Sequence, residues 1–175
     1  MPESVTADVP LLGADGYHAL NNQKAELAKQ FGITEKQVEH LLNRYGSLIY
    51  EVLAPAAEDK SLLEPLEAAE QYMRAEVLYA VTHEGAMHLD DILERRLRVS
   101  MEYAHRGVDS ARATAELVAP ALGWDKETME KEIKVFIERV EATLAAEREL
   151  TDKAANEIAA HAVETRADVD VSLDR

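Results

Sequence analysis

The 175-residue sequence has no cysteine, only seven glycines and no long apolar run, and 34 acidic side chains outnumber 19 basic ones. Each shortage excludes something. Without cysteine there is no disulfide, thiolate zinc site, iron–sulfur cluster or cysteine nucleophile, which fits a reducing compartment. A net charge of −15 excludes a general binder of nucleic-acid backbone, which needs a basic face. It also disfavours adsorption to anionic lipid through charge alone. The glycines stand singly, apart from Gly13-Ala-Asp-Gly16. Neither G-x-G-x-x-G nor G-x-x-x-x-G-K-[ST] can be drawn through them, so both common phosphate cradles are missing. No stretch approaches the roughly 20 apolar residues of a membrane-spanning helix. No basic leader followed by an apolar stretch marks a signal peptide. The length suits one domain, and the chain reads as soluble, acidic and intracellular.

What is present is helical periodicity. Residues 1–16 mix proline, glycine and acids and read as an extended leader. From Tyr17 the pattern predicts helices almost throughout, with an accessory domain over 17–150 and a helical or disordered tail over 151–175, unstructured from 165. A first helix is expected over His18–Phe31, stopped by Gly32. Thr34 should cap a second, whose Val38, Leu41, Leu42 and Tyr45 follow the i, i+3, i+4, i+7 spacing of a buried stripe. A third starts at Ser47 and is disturbed by Pro55. A fourth is expected over Glu70–Glu84, a fifth from Leu89 to about Arg98, and a sixth from an Asp109 cap to Leu122, with Gly123 at its C-terminal turn. Asp125 should cap a long C-terminal helix whose Met129, Ile133, Phe136, Val140 and Leu144 form an apolar stripe. That stripe suits core packing, or pairing with another subunit or domain. Trp124 reads as a packing anchor beneath the turn. No strand-like alternation with hairpin chemistry stands out. The expected fold class is all-α, a compact bundle of about six or seven helices.

The most informative stretch is Glu70–Arg98. At about 100° per residue, Tyr72, Met73, Val77, Tyr79, Ala80 and Val81 form a broad apolar arc, and Glu76, His83 and Glu84 fall within it. On the next helix Arg96 sits among Leu89, Ile92, Leu93 and Leu97, while Asp91, Glu94, Arg95 and Arg98 can form exposed i, i+4 pairs. A buried guanidinium is costly without a carboxylate partner, and Glu84 and Glu76 are the candidates. The expectation is an internal ion network of Glu76, His83, Glu84 and Arg96. It reads either as a salt bridge that fixes how two helices meet or as an acid–base or ligand site. No nucleophile with its base and oxyanion donor accompanies it.

Other constellations are weaker. His83 and His88 are five apart with Gly85 between them, whereas H-E-x-x-H needs histidines four apart on one face. Glu102 with His105 makes a single E-x-x-H without the twin that di-iron bundles require, and both read as surface residues. Glu157 and His161 are four apart. The charges from Asp125 to Glu149 read as the solvated back of a helix. No catalytic, cofactor-binding or metal-ligating residue is assigned.

Several segments together resemble a known family. Ala75-Glu-Val-Leu-Tyr-Ala-Val-Thr-His-Glu84, Asp90-Asp-Ile-Leu-Glu-Arg-Arg-Leu-Arg98 and Leu122-Gly-Trp-Asp125 look like the C-terminal helical domain of FAD-dependent (aerobic-type) glycerol-3-phosphate dehydrogenase. Leu12-Gly-Ala-Asp-Gly16, Arg44-Tyr-Gly46 and Leu63-Glu-Pro65 are similar too, in the same order, so the likeness covers roughly 10–148. The family usually has a bulkier residue than Gly85 and a threonine near Leu97. The resemblance implies an accessory domain of an oxidoreductase that converts glycerol 3-phosphate to dihydroxyacetone phosphate and passes electrons through FAD to quinone. FAD would sit in an N-terminal flavoprotein domain of the same chain, for which 1–16 would be the tail, and no cofactor in this part. That domain would be the partner, with a homodimer as a further expectation and no nucleic acid. The parent would be cytoplasmic, at the inner face of the cell membrane, with no transmembrane segment. The rival is a free-standing helical interaction or regulatory protein; a small helical metalloenzyme is a third reading.

Overall fold

The computed structural model describes residues 5, 6 and 8–162; the expectation for 165–175 lies outside them. Contacts divide the chain into two compact units. One holds the residues up to Pro65 together with Met73–Ala75, and the other holds Leu66–Tyr72 and the residues from Glu76 onward.

The first unit is built from four short α-helices: α1 (Tyr17–Asn22), α2 (Lys24–Phe31), α3 (Glu35–Tyr45) and α4 (Ile49–Leu53). The single helix expected over His18–Phe31 is two. Asn21 and Asn22 are weak helix formers, and Gln23 leaves helical geometry at φ −106°, ψ 19°. Gly32 ends α2 in the left-handed conformation. Thr34 caps α3 reciprocally: its hydroxyl accepts from the Gln37 amide, and its own amide donates to Gln37 Oε1 at 2.9 Å. This capping box satisfies two otherwise orphaned amides. Val38, Leu41, Leu42 and Tyr45 are all buried, and Leu27, Ile49, Val52 and Leu53 are buried in the same unit. After α4 the chain tightens into a 3₁₀ turn carrying Pro55 near its start, where a missing amide costs nothing. The leader is fastened by a close backbone approach. The Gly13 carbonyl accepts from Ser47 N at 2.9 Å. A Cβ on Gly46 would run into the Gly13 carbonyl oxygen, and one on Gly13 into that of Tyr45.

Further along the chain comes a two-stranded sheet, β1 (Pro65–Leu66) and β2 (Ala69–Met73), followed by α5 (Arg74–Thr82). This corrects two expectations: strands do occur, and Glu70–Met73 is strand rather than the start of a helix. Distant partners hold the strand. The Tyr72 hydroxyl donates to Glu102 at 2.7 Å, and the Gln71 amide donates to the Tyr103 hydroxyl at 3.1 Å. The turn places Ala68 at φ 59°, and His105 Nε2 lies 2.8 Å from its carbonyl. Glu102, exposed as expected of a surface residue, and the partly buried His105 anchor the hairpin.

The second unit continues through a π-helical turn (Asp91–Arg96), α6 (Val99–Glu102), α7 (Ala111–Leu122), α8 (Lys126–Ala146) and α9 (Asp152–Ala160). The fifth helix is thus wound more widely than expected, and it stops where Arg98 turns left-handed at φ 64°. The N-cap of α7 is Ser110, not Asp109; the Ser110 hydroxyl donates instead to the Glu67 carbonyl at 2.7 Å. Gly123 closes α7 in the left-handed conformation, and Asp125 caps α8 by accepting from Thr128 N at 2.8 Å. Ile133 and Phe136 join a core with Leu66, Tyr72, Val77, Ile92 and Leu93, while Met129, Val140 and Trp124 pack at its edge. Four of the five stripe residues of α8, Met129, Ile133, Phe136 and Val140, belong to or pack against this core. Nine α-helices among the described residues replace the expected six or seven, and the architecture is all-α apart from the small sheet.

Candidate functional site

The densest polar geometry of the second unit surrounds the π-helical turn. Asp91 Oδ2 accepts from the amides of Met87 at 3.1 Å and His88 at 3.3 Å, and its Oδ1 accepts from Arg95 Nη1 at 2.6 Å. Its carboxylate holds the Arg95 pKa above the ordinary arginine value. Asp91 is buried rather than exposed, because the residues before the helix fold back onto it. Asp90 is only 4% exposed. Arg95 Nη1 lies 3.2 Å and Arg139 Nη1 3.7 Å from its Oδ2. Neither contact meets hydrogen-bond geometry, so Asp90 is held by charge.

A second link joins this region to α8. His88 Nδ1 lies 2.9 Å from Glu132 Oε1, and the Leu89 amide donates to Glu132 Oε2 at 3.4 Å. Glu132 is buried, which corrects its reading as part of a solvated helix back. His88 therefore turns to a carboxylate on α8. Among the described residues no group of three or more histidine, cysteine or acidic side chains could hold a metal ion.

The structure places the four residues of the expected network as follows. Arg96 Nε and Nη2 donate to the main-chain carbonyl of Glu84 at 3.1 and 2.9 Å. Arg96 is half-buried, as is Glu84, and Glu76 is completely buried. His83 is exposed, stacked on Tyr79 with ring centroids 4.5 Å apart, and its Nδ1 lies 2.7 Å from the Thr82 hydroxyl. Arg96 and Glu84 are thus brought together through the backbone carbonyl.

Between the π-helical turn and α8 lies a cleft of about 170 Å³, lined by Asp90, Glu94, Arg106, Phe136, Arg139 and Thr143 among others. Its charges are largely answered within the unit: Asp90 by two guanidinium groups, and Arg106 by Glu147 at 3.0 Å. Carboxylates tied to helix-end amides and arginines fix where elements begin. Sequence reasoning missed Asp90 and Glu132. Neither breaks the helical pattern, and each meets a partner far along the chain: Arg139 for Asp90, and His88 and Leu89 for Glu132. No helix among the described residues is long and apolar enough to cross a membrane.

Comparison with known proteins decides the lineage. Residues 4–129 match the family described as the C-terminal domain of alpha-glycerophosphate oxidase. The chain belongs to that family. Glycerol-3-phosphate dehydrogenase 2 of Mycobacterium tuberculosis (strain ATCC 25618 / H37Rv) is 49% identical over 166 residues, which are 95% of this chain and 28% of that protein. Glycerol-3-phosphate dehydrogenase of Mycobacterium leprae (strain TN) has the same identity and coverage. The probable mitochondrial glycerol-3-phosphate dehydrogenase of Dictyostelium discoideum is 32% identical over 130 residues, 74% of this chain and 20% of that protein. The chain thus spans little more than a quarter of the mycobacterial relatives' length and matches their accessory C-terminal domain. No solved structure matches it significantly.

Proposed function

We propose that this chain serves as the non-catalytic C-terminal domain of an FAD-dependent enzyme that oxidises glycerol 3-phosphate to dihydroxyacetone phosphate and passes the electrons to quinone. The carrying observation is that 95% of the chain aligns with only 28% of a protein named glycerol-3-phosphate dehydrogenase 2. Flavin and substrate chemistry belong to the remaining length. The residues here support that division: glycines stand singly at turns, and an acidic surface does not attract a phosphate ester. Asp91 and Glu132 serve as helix-end anchors, and the grouping of Glu76, His83, Glu84 and Arg96 is structural in this reading. A homodimer and a seat at the inner face of the cell membrane belong to the same proposal.

The test is a chimera in which this chain replaces the matching segment of the Mycobacterium tuberculosis dehydrogenase. It is expected to oxidise glycerol 3-phosphate with an artificial electron acceptor, while the same protein without the segment loses activity or stability. The chain alone should show no flavin absorption after dialysis against FAD. An inactive but folded chimera, or flavin retained by the chain alone, overturns the proposal.

A further inference from the structure

We infer that Val9, Leu11 and Leu12 form the ridge on which the first unit receives the part of the family chain that precedes this domain. The inference rests on the function proposed above and names the surface that function needs.

The ridge stands out by position and by rigidity. Val9, Leu11 and Leu12 are 61%, 83% and 88% exposed. Other large apolar side chains with comparable exposure, Val5, Met87, Met101 and Leu150, stand singly, as on any soluble surface. Here three fall within four consecutive residues. A loose leader could carry leucines without consequence, but this one is tied down. The Leu11 carbonyl accepts from Ala14 N at 2.9 Å and the Gly13 carbonyl from Ser47 N at 2.9 Å. Gly13 and Gly46 approach so closely that neither position has room for a Cβ. Residues beside two exposed leucines are therefore held by a contact that demands glycine on both sides. A fixed apolar ridge is preorganised for burial, since little ordering remains to be done on contact.

The occupant follows from the family and the relatives' length. The match is to a C-terminal domain beginning at residue 4, so the remaining length of such relatives lies upstream. An extended chain advances at most about 3.6 Å per residue, so whatever precedes residue 4 starts within about 25 Å of Leu11. A tethered neighbour so close has a high effective concentration, and apolar burial is the leading favourable term in such contacts.

The chain's lack of cysteine makes the test direct. Leu11→Cys, Leu12→Cys and the control Leu150→Cys are made in the chain alone and in the chimera, and maleimide labelling is followed peptide by peptide. In the chain alone all three should label at similar rates. In the chimera the two ridge positions should slow by about tenfold or more, as the open form becomes a minor population, while Leu150→Cys stays unchanged. Unslowed ridge cysteines in an active chimera overturn the ridge and leave the proposed function standing. Protection in the chain alone that grows with concentration, together with a dimer mass, shows that a second copy covers the ridge and also overturns the inference. An inactive chimera in which every cysteine labels at the isolated-chain rate overturns the ridge and the proposed function together.

Discussion

The two units bury different kinds of side chain. In the first, the interior is apolar and aromatic: Leu27, Val38, Leu41, Leu42, Tyr45, Ile49, Val52 and Leu53. Every buried charged residue or hydroxyl-bearing serine or threonine among the described residues, Glu76, Asp90, Asp91, Ser110, Thr114 and Glu132, belongs to the second. An apolar interior is specified by volume and period, and it tolerates exchanges that conserve both. An interior containing carboxylates is specified by partners, and losing one partner strands the other. The first unit should therefore be most sensitive where backbones touch, and the second where a charge meets an amide or a guanidinium.

Substitutions at four positions test that contrast, from the largest expected effect to the smallest. Gly46→Val forces a side chain into the Gly13 carbonyl and should cost about 3 kcal/mol or more. A urea midpoint equal to wild type would mean that the glycine contact does not set the first unit. Asp91→Ala removes an acceptor from two amides and from Arg95, for an expected loss of about 2–3 kcal/mol. Asp91→Asn keeps one good acceptor and should lose clearly less, so equal losses would show that charge alone matters there. Arg96→Met keeps the stem but removes two donors to the Glu84 carbonyl, for about 1–2 kcal/mol. An unchanged melting temperature would end the case for Arg96 as a structural partner. Asp125→Asn should be mildest and dependent on pH. The Thr128 amide holds the Asp125 pKa below its ordinary value, so the carboxylate contributes above the unfolded pKa and loses that contribution as pH falls through the folded one. Thermal melts should separate the two proteins at neutral pH and converge in acid; a gap that persists in acid would assign the effect to shape rather than charge.

The same contrast explains what could be read in advance. Thr34, Gly32, Gly123, Asp125 and the Val38–Tyr45 stripe were legible because caps and periodicity act within a few residues. The likeness to the dehydrogenase family was legible because its short motifs occur in order. The strand at Glu70–Met73 was not, since a helical wheel accommodates those residues equally well and the deciding bond from Tyr72 reaches Glu102, 30 positions away. Nor was Glu132, whose partner His88 is 44 positions distant. Burial of a carboxylate is a property of the pair, and one half of a pair leaves no periodic trace. The wider winding of residues 91–96 is likewise invisible to a search that assumes 3.6 residues per turn.

Trp124, the only tryptophan of the chain, sits half-buried between α7 and α8 and packs against the core of the second unit. The molecule thus carries a built-in optical label on one side only. Its fluorescence should follow melting of the charge-bearing unit alone, whereas far-ultraviolet dichroism sums the helices of both. Superimposed curves from the two signals would report a single cooperative transition, and displaced curves would rank the two interiors by strength without any substitution at all.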